Sequence, residues 1–459
     1  MRDVGPSAVQ RVHERHPSRR TSPPLILFYG FSWLIVTGGV LLLLPISNAS
    51  EEGCTPIANA FFTATSAVTV TGHTVVNTAD YWTTFGHAVI FTLMLVGGLG
   101  FTTIATFLLI IVGQHITLPE RMLMRDTMGV DRMGGLAAVL RNIVLIVLAV
   151  YAIGTATIWW RIHQDFSLGE SIWQSAFLSV SGLNNAGFSI LPDASSIENY
   201  MADSVLLGFV GCLIILGGIG WTVLVDVFRQ HRFSRFTLDT KMVLSVSLLL
   251  WVMGALVFFL AEYDNKDTLG PLSVLQKLAQ SVFHSVSGRT AGLTALDMGT
   301  STELTRLFYP FLMFVGGAAG SVAGGVKVAT VAVIIAATIS SVRGRLQTEA
   351  FGREIPHFQV HRALTVVALA MTFIFILALV MMLTEENIPF LNLFFDTISA
   401  FGTTGLSTGV PPQLSLAGKI LFMIAMFVGR LGPLTMALAL VPREEATVYR
   451  FVQERVKIG

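Results

Sequence analysis

Apolar and polar positions along this chain follow a recurring three-part order: a long apolar run, a short one, then a second long one. The long runs cover about 25–45, 86–113, 142–160, 204–228, 242–261, 307–340, 363–384 and 417–441. Each is near or above the roughly 20 residues that a helix needs to cross a bilayer. The short runs, about 56–68, 171–182, 273–287 and 389–400, fall between the two members of each pair. They are too short to cross and suit helices that enter the membrane and turn back. The pattern predicts an all-α polytopic membrane protein: eight transmembrane helices and four re-entrant pore helices, arranged pseudo-fourfold around one central pore. The chain then divides into a basic N-terminal segment at 1–24, repeats at 25–113, 141–228, 241–341 and 362–441, and a tail at 442–459.

Each short run ends in a small-residue loop centred on glycine. The loops read Thr69-Val70-Thr71-Gly72-His73, Asn184-Asn185-Ala186-Gly187-Phe188, Arg289-Thr290-Ala291-Gly292-Leu293 and Gly402-Thr403-Thr404-Gly405-Leu406, with their central glycines 115, 105 and 113 residues apart. So long a period suits a duplicated membrane hairpin rather than a solenoid unit. A pore that strips water from a cation must replace the hydration oxygens with backbone carbonyls. Turning successive carbonyls inward needs dihedral angles that glycine reaches without a Cβ penalty, and the C-terminus of each short helix would aim partial negative charge at the axis. The candidate cation-binding positions are therefore Val70, Thr71 and Gly72; Asn185, Ala186 and Gly187; Thr290, Ala291 and Gly292; and Thr403, Thr404 and Gly405. The competing reading is close helix packing through small residues, which four loops in register make hard to sustain.

The second long run of each repeat carries a glycine pair: Val96-Gly97-Gly98-Leu99-Gly100, Leu216-Gly217-Gly218-Ile219-Gly220, Val315-Gly316-Gly317-Ala318-Ala319-Gly320 and, with a substitution, Val428-Gly429-Arg430-Leu431-Gly432. A charge in mid-span costs a few kcal/mol by insertion scales, so Arg430 should face the pore or a partner; the partner would be a buried acid such as Asp396. The third repeat departs further. Between Gly316 and Lys327 lie five glycines, at 316, 317, 320, 324 and 325, and no bulky side chain. At about 1 kcal/mol per glycine relative to alanine, a continuous helix is expensive there, and irregular backbone at membrane depth is tolerated where it lines a watery cavity. Gly316, Gly317, Gly320, Ser321, Gly324, Gly325, Lys327 and Arg430 are the candidate gate, with Lys327 repelling cations or clamping the segment through carbonyls. A glycine-lined packing seam is the alternative.

Composition agrees with a membrane setting: 53% hydrophobic, 12% charged and a mean hydropathy of +0.70, against about 25% charged in ordinary globular proteins. The net charge of +1 gives no reason to invoke nucleic acid. Cys54 and Cys212 fall in different repeats and suggest no disulfide framework, and no cleavable leader is apparent before the first span. Of the 29 basic residues, 21 lie in five segments on one side: the N-terminal segment, the loops holding Arg121, Arg232 and Arg343, and the tail. The positive-inside rule makes that side cytoplasmic. Both termini then face the cytoplasm and the glycine loops open outward.

The glycine loops, with Phe62-Thr63-Ala64-Thr65-Ser66-Ala67 before the first and Ser407-Thr408-Gly409 after the fourth, resemble the Trk/Ktr/HKT superfamily of potassium transporters over nearly the whole chain. Within it the sequence is most similar to the KtrB branch, the membrane subunits of bacterial Ktr systems. The resemblance implies K⁺ uptake across the bacterial plasma membrane, a carbonyl selectivity filter and an intramembrane gating loop. It further implies a restraining arginine at position 430, a homodimer, and a cytosolic ring of KtrA-like nucleotide-binding regulatory subunits. K⁺ is the transported ion and Na⁺ a candidate regulator or coupling ion; no cofactor is expected in the chain itself, which has no Walker A loop or strand-linked GxGxxG. All four filter glycines are present, as in K⁺-selective members. His73 replaces the hydrophobic residue expected after the first glycine, at what would be a wet pore mouth. A coupled symporter is the alternative class, although inverted repeats are usual there. An enzyme is disfavoured, because the ten histidines are scattered and no HExxH occurs.

Overall fold

The computed structural model describes residues 23–49, 55–100, 136–192 and 196–440. The basic N-terminal segment, Glu51-Glu52 and Cys54, the end of the first repeat, the loop holding Arg121 and the tail lie outside the described residues.

Four long apolar helices frame the molecule: α1 (Pro23–Leu43), α4 (Leu136–Ile162), α8 (Leu238–Glu262) and α12 (His357–Thr384). Each contains a predominantly apolar helical stretch of 19 to 28 residues, long enough to cross a bilayer. Only 28–33% of each stretch is buried, and residues such as Trp160, Leu248 and Phe375 face outward, which is how helices bathed in lipid present themselves. Each precedes a shorter helix: α2 (Ile57–Thr69), α5 (Leu168–Asn184), α9 (Val274–Thr290) and α13 (Phe390–Gly402). These have the opposite burial. The C-terminal halves of all four are closed off from solvent, from Thr63 to Thr69 in α2 and from Asp396 to Gly402 in α13. They occupy the centre.

Their starting points are set by local chemistry. Ser167 and Glu170 form a capping box at α5, and Ser273 with Gln276 forms another at α9. At α2 and α13 a proline, Pro56 or Pro389, stands in the capping position instead.

The third helix of each repeat differs from the expected continuous span. α3 (Thr84–Leu99) ends at Gly100, α6 (Ser204–Ile219) at Gly220 and α14 (Leu416–Leu431) at Gly432. The three glycines hold φ of 80°, 86° and 86°, a conformation that cannot continue an α-helix and that glycine alone adopts at little cost. Beyond Gly220 the chain turns 98° into α7 (Trp221–Gln230), and beyond Gly432 it resumes as α15 (Pro433–Leu440). Continuous spans over 204–228 and 417–441 are thus replaced by helices broken at the last glycine of the motif. In the third repeat the break is wider: α10 (Glu303–Phe314) stops, and α11 (Val328–Val342) begins only after the glycine-rich segment.

After α11 comes a feature that the apolar pattern does not announce, an antiparallel hairpin of β1 (Thr348–Ala350) and β2 (Arg353–Ile355). Phe351 and Gly352, both at positive φ, make its two-residue turn. Ile355 anchors it against Met242, Ala332 and Ala336.

Paired helices are stapled to one another by carboxylates at one end. Glu262, closing α8, accepts from the Thr302 N–H (2.9 Å) and the hydroxyls of Thr302, Thr305 and Thr268. Glu385, just past α12, accepts from the N–H (3.1 Å) and hydroxyl (2.5 Å) of Ser415. Both carboxylates thereby engage the N-cap residue of the next long helix.

Candidate functional site

The four glycine loops meet. A side chain on Gly72 would begin 2.6 Å from the carbonyl oxygen of Ala186, and one on Gly187 would begin 2.9 Å from that of Ala291. At Gly292 the obstacle is Thr404 O, and at Gly405 it is Thr71 O. Each glycine therefore abuts the carbonyl that precedes the next glycine, and the fourth closes on the first. The sequence places glycine here for two reasons: there is no room for a Cβ, and φ lies between 69° and 92° at all four. The ring is made by the four glycines and the residue before each, eight of the twelve positions picked out from the loops.

Three loops leave their helices in the same way. Val70, Asn185 and Thr403 take left-handed dihedrals, with φ of 56°, 53° and 49°. The next N–H reaches back to a serine carbonyl, from Thr71 to Ser66 (2.8 Å), Ala186 to Ser181 (2.8 Å) and Thr404 to Ser399 (2.9 Å). This is the common helix-ending pattern with a non-glycine residue in the left-handed position. In the third loop Thr290 remains helical and Ala291 is right-handed, with φ −113°. The amides of Ala291 and Gly292 both bond Ser287 O there, at 2.8 and 3.2 Å. Asn185 and Thr290 lie 3.0 Å apart across neighbouring loops. Orienting the amide so that its nitrogen donates to Gly182 O (2.9 Å) lets its oxygen accept from the Thr290 hydroxyl.

The glycine-rich segment, 315–327, is held on several sides. Ala318 and Val322 donate N–H bonds to Gly218 O (3.0 Å) and Gly217 O (3.3 Å) at the end of α6. Gly325 donates to Gly429 O (3.2 Å) on α14, and Gly324 donates to the Thr403 hydroxyl at 3.1 Å. Within the segment, Gly316 N–H bonds Val326 O, Val328 N–H bonds Gly317 O, and the Ser321 hydroxyl closes a turn onto Ala318 O. Gly320 sits in that turn at φ 71°. Lys327 Nζ donates to Ala323 O at 2.6 Å, so it grips its own segment through a carbonyl.

Arg430 bridges this segment to another repeat. One arm of its guanidinium donates to Val322 O, and the other reaches Gly97 O (2.5 Å) and Gly98 O (3.4 Å) at the end of α3. The alternative of an ion pair with Asp396 does not hold: Asp396 accepts from the N–H (3.0 Å) and hydroxyl (2.6 Å) of Thr408. Among the described residues Arg430 has carbonyl partners and no carboxylate. The reason is geometric, since Asp396 lies two turns back from the end of α13, whereas Arg430 lies at the glycine level of α14.

The glycine pairs have a separate role. A side chain on Gly97, Gly217 or Gly429 would strike the carbonyl of Val68, Leu183 or Phe401 respectively, so these glycines let the second helix lie directly on the end of the short one. Sequence reasoning left other residues unassigned. Arg289 is buried in the last turn of α9, over the Trp251 ring (5.4 Å), and donates from Nη2 to Gly316 O at 3.1 Å. Asn184 ties three helices, accepting from the Tyr151 hydroxyl (2.7 Å) and donating to Met94 O (3.1 Å). Both stood in the loop motifs, but nothing in a linear pattern says which polar residue turns inward. His73 is fully buried beside the Phe422 ring rather than at a wet mouth.

Lipid-facing long helices around a closed carbonyl ring define an integral membrane protein of the cation-transport class. The chain belongs to the TrkH family, described as cation transport protein, whose profile matches residues 27–448. It is 38% identical over 431 residues to the Ktr system potassium uptake protein B of Bacillus subtilis, covering 94% of this chain and 95% of that one. It is 34% identical over 455 residues to the potassium/sodium uptake protein NtpJ of Enterococcus hirae, covering 98% and 100%. Among solved structures, the potassium transporter TrkH of Vibrio parahaemolyticus superposes with a TM-score of 0.72 over 93% of this chain and 86% of that one. At 18% identity, this last likeness speaks for the fold alone.

Proposed function

We propose that the chain carries out K⁺-selective uptake across the bacterial plasma membrane, with both termini in the cytoplasm. Its repeats, 25–113, 141–228, 241–341 and 362–441, surround one pore pseudo-fourfold, with two spanning segments and one re-entrant helix in each. Val70 to Gly72, Asn185 to Gly187, Thr290 to Gly292 and Thr403 to Gly405 form the selectivity filter. The segment from Gly316 to Lys327, together with Arg430, forms the gate.

The observation that carries this reading is the closed ring in which each loop glycine abuts the carbonyl before the next. Carbonyls in such a ring replace a cation's hydration shell. Two fixed cations beside the path, on Lys327 and Arg430, oppose passage while the segment is seated. The uptake names of the Bacillus and Enterococcus relatives support K⁺ as the ion. The second of those names also supports Na⁺ as a coupling or regulatory ion. The chain works as a homodimer on a cytosolic ring of nucleotide-binding, KtrA-like subunits.

Gly292→Asp and Gly405→Asp test the filter. Each would push a charged side chain into a neighbouring carbonyl, and the K⁺ over Na⁺ permeability ratio from reversal potentials in proteoliposomes should fall by at least about tenfold, or 1.4 kcal/mol. A ratio unchanged in both variants would remove the filter assignment.

A further inference from the structure

Among the described residues, the third and fourth glycine loops share a hydrogen-bonded circuit with the gate segment that the other two loops lack. On one shoulder of the segment, Gly316 O accepts from Arg289 Nη2 at 3.1 Å. On the other, Gly324 N–H donates to Thr403 Oγ1 at 3.1 Å. The two ends are joined through the loops themselves, because the Thr404 hydroxyl points to Arg289 O at a long 3.4 Å. All the residues in this circuit are buried. Arg289 is 2% exposed, and its Nε and Nη1 meet no acceptor among the described residues, so Gly316 O is where its hydrogen bonding is spent.

Backbone conformation gives the circuit its consequence. Thr403 is β-branched and sits at φ 49°, a region such residues occupy only when their surroundings hold them there. Its hydroxyl is the acceptor for the segment's Gly324. Val70, at φ 56° in the first loop, has no polar end to be held by. Loop three is the one that does not take the left-handed exit, and its helix is the one that ends in the arginine gripping the segment. Loop two has its own side-chain restraint, Asn185 against Thr290 of loop three, whereas the restraints on Thr403 and Arg289 come from the gate segment.

We propose that Arg289 and Thr403 are positioning residues that make the gate segment part of the filter: while seated, the segment fixes the carbonyls of loops three and four, and its displacement changes which cations pass as well as how fast. This rests on reading the glycine ring as the filter. Withdrawal of Gly324 leaves Thr403 free to abandon the left-handed exit, which turns the Thr403 carbonyl and, through the next peptide, displaces the Thr404 carbonyl of the ring. Withdrawal of Gly316 frees the end of α9 in the same manner. Filter selectivity then follows the state of the gate.

A double-mutant cycle tests this in the full-length protein in proteoliposomes, with K⁺/Na⁺ permeability ratios taken from reversal potentials. Thr403→Val removes the acceptor and keeps the shape. It is compared in the intact background and in one lacking residues 318–323, which contain the contacts to Gly217, Gly218 and Arg430. Thr403→Val should change the ratio by about threefold or more in the intact protein, a modest coupling for residues in contact, and should have almost no further effect once the segment is freed. Thr403→Ser, which retains the hydroxyl acceptor, should shift the ratio less than Thr403→Val does in the intact protein. Arg289→Gln gives a second, independent cycle should the valine variant fail to insert. Equal shifts in both backgrounds would mean that Thr403 acts on the ion directly and would overturn the coupling. Gly405→Asp, run in parallel, separates the two levels of the argument. If it shifts the ratio while the cycles are additive, only the coupling falls; if it leaves the ratio unchanged, the filter reading and the coupling fall together.

Discussion

The third repeat and the other three solve one structural problem in two ways. In repeats one, two and four the second helix runs to a glycine at positive φ, and the first glycine of its pair rests on a short-helix carbonyl: Gly97 on Val68, Gly217 on Leu183, Gly429 on Phe401. In the third repeat the corresponding Gly316 faces Gly324 O instead, a carbonyl of its own segment. The backbone that would have packed on α9 has been folded into a loop, and Arg289 fills the connection between α9 and that loop. The first arrangement is a rigid seam. The second joins the same two elements by a few hydrogen bonds, which can break without unfolding the frame. In the proposed reading three repeats act as scaffold and the glycine-rich segment of the third is the part that moves.

The most sensitive probe of that contrast is Arg430, because it belongs to a scaffold repeat yet holds the segment proposed as the gate. Its guanidinium ties Val322 to Gly97 and Gly98. Arg430→Ala should release the segment and remove a fixed charge from the path. A barrier lowered by 1.4 kcal/mol corresponds to about tenfold in rate, so K⁺ flux in proteoliposomes should rise by that order, with normal insertion and abundance. Well-folded protein with unchanged or lower flux would show that Arg430 is a structural brace and that the segment does not obstruct the path.

The sequence made the loops legible and the seams only partly so. A loop glycine that needs both positive φ and the absence of a Cβ has no substitute, so four copies at similar spacing announce themselves. Gly100, Gly220 and Gly432 stood in plain view at the ends of their motifs, yet the apolar run continues past each, and hydropathy does not distinguish a bent helix from a straight one. Arg289 was equally visible, but whether an arginine at a helix end reaches water or a buried carbonyl is settled by tertiary packing. Whether Arg430 faces a pore or pairs with Asp396 is hidden from the sequence for the same reason, and so are the backbone carbonyls that it binds. The hairpin at 348–355 could not be read because its strands are three residues long and mostly polar.

A finer test sets one glycine of each kind side by side. Gly217→Ala would drive a methyl into Leu183 O, and the seam has nowhere to yield; overpacking of this sort costs about 1–3 kcal/mol. Its thermal melting midpoint in detergent should drop. Gly316→Ala meets Gly324 O, which belongs to a segment able to shift. It should leave the midpoint nearly unchanged and raise K⁺ flux. Gly208→Ala, with open space around it, serves as the neutral reference. Equal melting shifts for Gly217→Ala and Gly316→Ala would erase the distinction between seam and mobile segment.

The smallest expected effect asks how far the specialisation of the third repeat extends along α9 from the glycine loop. At their N-termini α5 and α9 are alike: Ser167 N–H and hydroxyl reach Glu170 (3.4 and 2.8 Å), and Ser273 N–H and hydroxyl reach Gln276 (3.0 and 2.8 Å). Loss of a serine cap costs about 1 kcal/mol. In a chain of this size that amounts to a midpoint shift of about 1–2 °C, since the shift per kcal/mol shrinks as the unfolding entropy grows with length. Ser167→Ala and Ser273→Ala should therefore melt alike and transport K⁺ alike. If both lower the midpoint equally but only Ser273→Ala alters flux, the mobile unit includes the whole of α9, and the boundary between scaffold and gate must be moved outward to its capping box.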